Sequence, residues 1–191
     1  MNNIAVFLPY SLRHHTINVD LAKAALALKP DIVQAHDCNT LLGGAMVSRS
    51  SGARLVYDSH ELYLERNIGN RSRWWDKFQW APIERKCIRH CDVVLTVSKG
   101  IVNHLNTQYD RDDVVLVRNV QPYHPAPPRN SLLRDEFAIP ADRSIALYIG
   151  AITFNRGVEE LIKAAEGLEH SALVIMGPAI DPTYVDRLKA Q

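Results

Sequence analysis

Residues 53–65, ARLVYDSHELYLE, decide the fold, because the apolar run LVY (55–57) ends abruptly in the polar tetrapeptide DSHE (58–61). An apolar run too short for a helix, placed after a glycine-containing turn, predicts a buried strand of a parallel sheet. Ligands bind at the carboxyl ends of such strands, because the crossover helices leave a crevice there. A helix cap by Asp58 or Ser59 is the alternative, but a cap does not account for three titratable groups together.

The composition is that of an ordinary globular protein. The chain has 191 residues, of which 47% are apolar and 23% charged, and this length predicts one or two domains. A formal charge of +1 gives no broad basic field, so nucleic acid is not expected as a partner. The sequence shows neither a signal-peptide pattern nor a run of about 20 apolar residues. We therefore expect a cytoplasmic protein.

Basic residues are dense between positions 66 and 89, and Trp74, Trp75 and Trp80 lie among them. One interpretation is a solvated helix that turns its aromatic side chains inward. The other is a face that attaches peripherally to the inner surface of a membrane or to a lipid acceptor.

The three cysteines, Cys38, Cys87 and Cys91, form neither a disulfide framework nor a CxxC pattern. Cys87 and Cys91 lie four residues apart on a predicted helix with His90 between them, a spacing that suits a metal. No second ligand pair follows, so we predict small buried side chains in a reducing compartment and no metal.

Strands alternate with helices along the whole chain. The predicted strands are 4–9, 31–35, 55–57, 93–97, 114–117, 145–149 and 172–176, and the predicted helices are 19–28, 39–49, 74–90, 98–105, 131–137, 158–167 and one from about 182. This order is typical of βαβ units with right-handed crossovers. The predicted fold class is therefore α/β, with a Rossmann-like parallel sheet of four or five strands followed by an incomplete second Rossmann-like domain.

A proline-rich stretch, QPYHPAPPR at 121–129, carries four prolines in nine residues and is the best domain boundary. We predict a first domain at 1–122, a linker at 123–130 and the start of a second domain at 131–191. The second unit has only two predicted strands, which indicates a domain whose remainder is absent.

Polar residues follow several predicted strands. His36 and Asp37 follow the second strand, and Ser98 follows the fourth. Parallel strands bring their carboxyl ends to one edge. We therefore expect His36, Asp37 and Ser98 to gather there with Asp58 and His60, facing the second unit.

The segment GAITFNRG at 150–157 is the clearest ligand-binding pattern of the second unit. Gly150 lets a ligand approach the backbone, and the helix that starts at Gly157 presents free N–H groups and a positive dipole end to an anion. Arg156 adds a bidentate phosphate donor. The alternative is a plain βα turn with a surface arginine, since neither a Walker loop nor GxGxxG is present.

These segments, in this order, resemble the GT-B glycosyltransferases of family 4 (group 1). The matching segments are DIVQAHD, LVYDSHELY, IERKCIRHCDVVLTVSKGI, VLVRNV and YIGAITFNRGVEELIKAAE, and the resemblance extends from about residue 31 to residue 177. It implies two Rossmann-like domains around a cleft, with a glycan, lipid-linked or small-molecule acceptor on the first and a nucleotide-diphosphate sugar on the second.

The resemblance also implies a reaction and its residues. Members transfer the sugar with retention of anomeric configuration, in pathways such as polysaccharide biosynthesis, and generally need no metal or other cofactor. Gly150, Arg156 and Gly157 resemble the motif that holds the diphosphate. The resemblance places Asp58 and His60 in the catalytic role, and the following residues on the acceptor side: His36, Asp37, Glu61 and Ser98.

The chain departs from the family pattern at three points. Many relatives have a histidine where Asp58 stands, so either Asp58 or His60 takes that part. Ala151 replaces a common arginine, and Val120 a common glycine. The resemblance also implies an opening strand before Met1 and paired glutamates after Gln191, so we expect a fragment without transfer activity of its own.

Three other functions are compatible with the sequence. The first is a pseudoenzyme that binds a nucleotide or a partner, and the second is a sugar epimerase on the GT-B scaffold. The third is a metal-dependent hydrolase, whose ligands would be His36, Asp37, Asp58, His60 and Glu61. Hydrolases of the HD type carry their His-Asp dipeptide on helices, whereas the His36-Asp37 dipeptide of this chain ends a predicted strand.

Overall fold

The computed structural model describes residues 10–68, 72–126, 128, 130–179 and 181–190, so the predicted strand at 4–9 lies outside the described residues. The chain divides into two compact units, Met1–Pro122 and Tyr123–Gln191. Within the described part of the chain, no helix is both long and apolar enough to cross a membrane.

Within its described residues, the first unit contains a four-stranded sheet, and these strands are neighbours in chain order. The strands are β1 (Ile32–His36), β2 (Arg54–Ser59), β3 (Val93–Thr96) and β4 (Val115–Leu116), and the helices are α1 (Tyr10–Ala27), α2 (Cys38–Ser51), α3 (Arg73–Ile88) and α4 (Lys99–Tyr109). All pairings are parallel, in the order β1-β2-β3-β4. The prediction that the strands at 31–35, 55–57 and 93–97 are parallel neighbours is confirmed.

The core lies beneath one face of this sheet. Along β2, burial alternates: Leu55, Tyr57 and Ser59 are buried, and the residues between them are more exposed. This period of two follows from the pleat, which points successive side chains to opposite faces. Val94 of β3 and Ile88 of α3 complete the same cluster, each fully buried.

Two adjacent glycines allow α2 to pack closely on different partners. A Cβ at Gly44 would lie 2.9 Å from Leu55 Cδ1, so Gly44 faces the sheet. A Cβ at Gly43 would instead lie 2.9 Å from Asn18 Oδ1, an oxygen that accepts the Gly43 N–H at 2.7 Å. Gly43 therefore serves the contact with α1 and not the sheet.

Several helix bounds differ from the predictions. Helix α1 begins at Tyr10, whereas the predicted helix begins at residue 19. The first half of α1, YSLRHHTIN, carries polar residues and no regular apolar stripe, so the sequence pattern does not indicate a helix there. Helix α4 continues to Tyr109 and ends where Asp110 turns left-handed, with φ 52°.

Of the two interpretations of the tryptophans in α3, the one that turns them inward is wrong for two of the three. Trp80 is buried at 2% exposure, but Trp74 and Trp75 are 70% and 52% exposed. Their rings contact Phe78, which is also exposed, with centroids 5.7 and 5.5 Å from it. The first turns of α3 therefore carry an aromatic cluster in solvent.

The second unit is built on one parallel pair of strands. Its elements are α5 (Leu132–Glu136), β5 (Ser144–Ile149), α6 (Val158–Ala165), β6 (Ser171–Met176) and α7 (Pro182–Lys189). After β6, Gly177 has φ 151°, and a Cβ there would lie 1.8 Å from the carbonyl oxygen of Gly150. Only glycine fits at this position, because any side chain would collide with the backbone that follows β5.

Candidate functional site

Four ionisable side chains meet at the carboxyl ends of β1 and β2. His36 Nδ1 lies 3.4 Å and His60 Nε2 3.3 Å from the same oxygen, Asp58 Oδ2. The two ring nitrogens are 3.3 Å apart. His60 Nδ1, on the other side of its ring, lies 3.6 Å from Asp37 Oδ2. The structure therefore brings together four of the residues that the strand order predicts at one edge.

Strand register sets this geometry. His36 and Asp58 are directly paired in the β1–β2 ladder, so their side chains leave the same face. His60 comes two residues later, after the end of β2. There the Ser59 hydroxyl donates to the Glu61 carbonyl at 2.8 Å, and the Thr96 hydroxyl donates to the Ser59 carbonyl at 2.8 Å. These two bonds fix the turn that returns the His60 ring to Asp58.

Asp37 adopts an unusual backbone conformation, with φ 59° and ψ 167°. This region is almost confined to glycine and costs other residues about 1–3 kcal/mol. Asp37 precedes helix α2, but its side chain does not cap that helix. Its carboxylate instead accepts the backbone N–H of His60 at 3.1 Å. The strained backbone thus directs a carboxylate toward His60.

The cluster is open to solvent on one side. The side chains of His36 and His60 are 56% and 49% exposed, whereas that of Asp58 is 18% exposed. Ring nitrogens and carboxylate oxygens at such an edge can bind sugar hydroxyls, accept a proton from a hydroxyl, or hold a cation.

The remaining first-unit candidates, Ser98 and Glu61, have other contacts. The Ser98 hydroxyl accepts the backbone N–H of Ile101 at 3.3 Å, so Ser98 caps α4. Glu61 contributes its backbone carbonyl to the turn after β2, and its side chain is exposed. The structure thus gives Ser98 and Glu61 structural contacts at this edge.

One residue of the cluster was missed by the sequence analysis. Gln34 donates through Nε2 to Asp58 Oδ2 at 2.9 Å, the shortest contact that this oxygen makes in the cluster. The available signal was its place two residues before His36, which puts both side chains on one face of β1. Glutamine on an exposed strand face is common, so the signal was weak.

In the second unit, the turn between β5 and α6 presents the other predicted site. Gly157 has φ 72° and occupies the N-cap of α6 without a side-chain cap, and Arg156 beside it is exposed. Phe154 packs on Tyr184 of α7 with ring centroids 4.2 Å apart, which anchors the turn. Glu159 and Glu160 fill the first turn of α6 and offset part of its dipole. The positive groups at this turn are therefore Arg156 and Arg187, whose guanidinium lies 5.1 Å from the centroid of the Phe154 ring.

The cysteines are buried thiols, as predicted. Cys38, Cys87 and Cys91 are free and buried. Burial raises the pKa of all three, that of Cys91 to about 12, because an apolar environment disfavours the thiolate. They therefore do not supply a nucleophile.

Comparison with known proteins gives a family and relatives. The family described as Glycosyltransferase Family 4 matches residues 4–120. An alpha-maltose-1-phosphate synthase of Mycobacterium tuberculosis is 24% identical over 190 residues, which cover 91% of this chain and 47% of that protein. The chain thus spans about half the length of this curated relative.

Two solved structures share the fold. Sucrose-phosphate synthase from Thermosynechococcus elongatus superposes with a TM-score of 0.69 at 16% identity, over 93% of this chain and 45% of that one. Anabaena HepE in complex with UDP gives 0.66 at 19% identity, over 89% and 47%. The predicted class, α/β with Rossmann-like parallel sheets of GT-B type, is confirmed.

Proposed function

The chain belongs to glycosyltransferase family 4, and from this premise we propose that it acts in the transfer of a sugar from a nucleotide-diphosphate sugar to an acceptor, with retention of anomeric configuration. The match to the family over residues 4–120 is the observation that carries the proposal. Two similar proteins are named as synthases of sugar phosphates, and a third was solved with UDP. These names support a nucleotide-sugar donor, with UDP as the first nucleotide to test.

In this proposal the acceptor binds to the four ionisable residues at the carboxyl ends of β1 and β2, here called the edge cluster: His36, Asp37, Asp58 and His60. Transfer breaks the bond between the anomeric carbon and the diphosphate and forms a bond from that carbon to the acceptor oxygen, which loses its proton. Asp58 and His60 lie 3.3 Å apart, so either can receive that proton while the other orients the acceptor hydroxyl. His36 and Asp37 hold these two groups in place. The acceptor is a glycan, a lipid-linked sugar or a small molecule.

The second unit would hold the leaving diphosphate. Gly157 leaves room for the phosphates beside the backbone, and Arg156 supplies a charged donor. At Gly150 the Tyr148 hydroxyl fills that space, 3.0 Å from where a Cβ would lie, so the predicted approach of a ligand to Gly150 does not hold. Positive charge at this position stabilises the diphosphate as the glycosidic bond breaks, so the proposed transfer needs no metal ion.

Binding of UDP to the 191-residue chain tests the donor half of the proposal. A hydrogen bond to a charged group contributes about 1.5–3 kcal/mol, and about 4 kcal/mol corresponds to a Kd of 1 mM. We therefore expect millimolar binding, seen as shifts of the backbone amide signals of residues 150–158 in a UDP titration. Arg156→Ala should weaken it about 10-fold, a change of about 1.4 kcal/mol.

Lys163→Ala is the matched control, because Lys163 is an exposed cation in the last turn of α6, far from the N-terminal end where Arg156 lies. It should leave UDP binding unchanged. Binding that is equally strong in wild type and Arg156→Ala would show that the diphosphate site lies elsewhere.

Release of UDP from a UDP-sugar tests the transfer itself. Because the chain spans about half the length of the relative it matches, we expect UDP binding without release by the 191-residue chain alone. Release that does occur, and that falls in Asp58→Ala and in His60→Ala, would show that this chain suffices for transfer, and the anomeric proton signal of the product would report retention.

A further inference from the structure

The edge cluster has a geometry that sugar transfer does not require. Three of its atoms form a nearly equilateral triangle: His36 Nδ1, His60 Nε2 and Asp58 Oδ2 are 3.3–3.4 Å from one another. Good hydrogen bonds between nitrogen and oxygen measure about 2.7–3.2 Å. The bond from Gln34 to Asp58 measures 2.9 Å, so a normal hydrogen bond does form on the same oxygen. The three atoms of the triangle are thus equally spaced, at separations longer than those of good hydrogen bonds.

We propose that His36, Asp58 and His60 form a binding site for a tetrahedral transition-metal ion, with Zn²⁺ as the preferred ion. Zinc binds imidazole nitrogen and carboxylate oxygen at about 2.0–2.2 Å. Ligands at about 2.05 Å on a tetrahedron lie about 3.3–3.4 Å apart, the spacing of the triangle. The three atoms thus form one face of a zinc tetrahedron.

The same distances select against other ions. Neighbouring ligands of an octahedral ion at about 2.1 Å lie about 3.0 Å apart, shorter than each edge of the triangle. Magnesium and calcium prefer sites made only of oxygen atoms, and here two of the three ligand atoms are ring nitrogens.

Residues around the triangle provide the outer support that metal sites need. Metal-bound histidines usually donate their second ring N–H to a carboxylate, which fixes the ring and its tautomer. His60 directs Nε2 into the triangle, and its Nδ1 lies 3.6 Å from Asp37 Oδ2. Gln34 holds Asp58 through the same carboxylate oxygen. The half-exposed imidazoles leave the fourth corner open to water.

The ion would occupy the groups that we assign to the acceptor. Asp58 Oδ2 and His60 Nε2 cannot both bind zinc and receive a proton from a hydroxyl. Zinc at this site therefore inhibits any reaction that uses these two groups, and binding itself does not depend on the proposed transfer.

Competition with a chromophoric chelator tests the site on the tag-free chain. We expect one zinc ion per chain and no competition by Mg²⁺. His36→Ala and His60→Ala should each weaken zinc binding by about 100-fold or more, and Asp37→Asn, in the outer shell, by about 10-fold. Circular dichroism of each variant checks that it is folded.

Two further histidine variants serve as controls. His104→Ala removes an exposed histidine of α4 and should leave binding unchanged. His90→Ala should also have no effect, and loss of binding in that variant would move the metal to the Cys87 and Cys91 region. Zinc binding that persists in His60→Ala, or no binding at micromolar zinc, overturns the proposal.

Nitrogen chemical shifts provide a second readout. The geometry requires zinc on Nδ1 of His36 and on Nε2 of His60. Long-range ¹H–¹⁵N spectra of the zinc-loaded chain should show these two nitrogens, and not their ring partners, at metal-bound shifts. Coordination through the same nitrogen in both rings would contradict the site described here.

Discussion

Tyr57 and Asp58 are neighbours on β2, yet they belong to two clusters of ionisable groups with opposite properties. Tyr57 is completely buried, and its hydroxyl donates to Glu84 Oε1 at 2.7 Å. Asp58 points to the other face and contacts His36 and His60 at the open edge of the sheet. The pleat of β2 thus places two neighbouring residues in different clusters. The closed cluster consists of Tyr57, Glu84 and Tyr109. The open cluster is the edge cluster of His36, Asp37, Asp58 and His60.

The closed cluster is satisfied within the protein. Glu84 is 3% exposed and accepts a second hydroxyl, that of Tyr109, at 2.6 Å through Oε2. Burial, followed by the nearby Glu84 carboxylate, raises the pKa of both tyrosines well above its usual value. Both carboxylate oxygens and both hydroxyls have partners, so the cluster is satisfied without another molecule.

The closed cluster is suited to stabilising the fold, and the open cluster is suited to binding a ligand. A buried network with every partner in place stabilises one conformation, and its removal leaves orphaned polar groups. The open cluster holds its ring nitrogens at distances longer than good hydrogen bonds and exposes them by half. It contributes little to stability and offers ligand atoms.

The largest expected effect comes from removing the central carboxylate of each cluster, that of Glu84 on α3 and that of Asp58 on β2. Glu84→Ala leaves two buried hydroxyls without an acceptor and creates a cavity, which should lower the free energy of unfolding by about 3–5 kcal/mol. Asp58→Ala removes a carboxylate from an open edge and should change it by less than about 1 kcal/mol. Urea unfolding in the presence of a chelator measures both values.

Tyr109→Phe combined with Glu84→Ala controls for the origin of the loss. If the orphaned hydroxyl causes part of it, Tyr109→Phe restores some stability in the Glu84→Ala background and lowers stability in wild type. Equal losses from Glu84→Ala and Asp58→Ala would remove the distinction between the two clusters.

The open cluster could be predicted from sequence, because its residues follow predicted strands. Once LVY at 55–57 and the run before His36 are assigned to parallel strands, chain topology alone places His36 and Asp58 at one edge. The distances within the cluster could not be predicted, because they depend on the turn after Ser59 and on the positive φ of Asp37.

The closed cluster could not be predicted, because its central residue looks like a surface residue. Glu84 lies in IERK, a charged segment of α3 that is typical of a solvated helix face, yet it is buried. The same helix misled the assignment of Trp74 and Trp75, which are exposed while Trp80 is buried. Hydrophobicity alone assigns these positions to the wrong side, and only the tertiary position of α3 decides them.

A smaller effect is expected from alkaline pH. Below about pH 10 the tyrosines are protonated in both states, so the contribution of Tyr57 and Tyr109 is fully present. Above it, the unfolded chain loses these protons while the folded protein retains them, because their folded pKa is raised. Stability then falls by up to about 1.4 kcal/mol per pH unit for each tyrosine.

Tyr109→Phe should remove one of these two contributions. Free energies of unfolding measured at intervals from pH 9 upward should therefore fall less steeply in Tyr109→Phe than in wild type, by about 1 kcal/mol per pH unit. His36→Ala, which changes only the open cluster, serves as the control and should keep the wild-type slope. A wild-type slope in Tyr109→Phe would mean that its hydroxyl ionises normally in the folded protein.

The smallest effect concerns the backbone of Asp37. Its conformation costs about 1–3 kcal/mol in a residue other than glycine, while glycine loses about 0.5–1 kcal/mol more in chain entropy on folding. Asp37→Gly should therefore be more stable than Asp37→Ala by about 1 kcal/mol in chemical denaturation. Both variants lack a side-chain acceptor for the His60 N–H, so the comparison isolates the backbone. A less stable glycine variant would show that no strain is stored there.

The contacts of Asp37 suggest what its strained backbone conformation is for. A residue that served only to start α2 would use its side chain as a cap, and Asp37 does not. Its carboxylate contacts His60 instead, at the backbone N–H and near Nδ1. If Asp37→Gly is the more stable variant and still binds zinc more weakly than wild type, then the open cluster gives up folding stability to hold His60 in place. The closed cluster on the other face of β2 shows the reverse arrangement, in which every contact stabilises the fold.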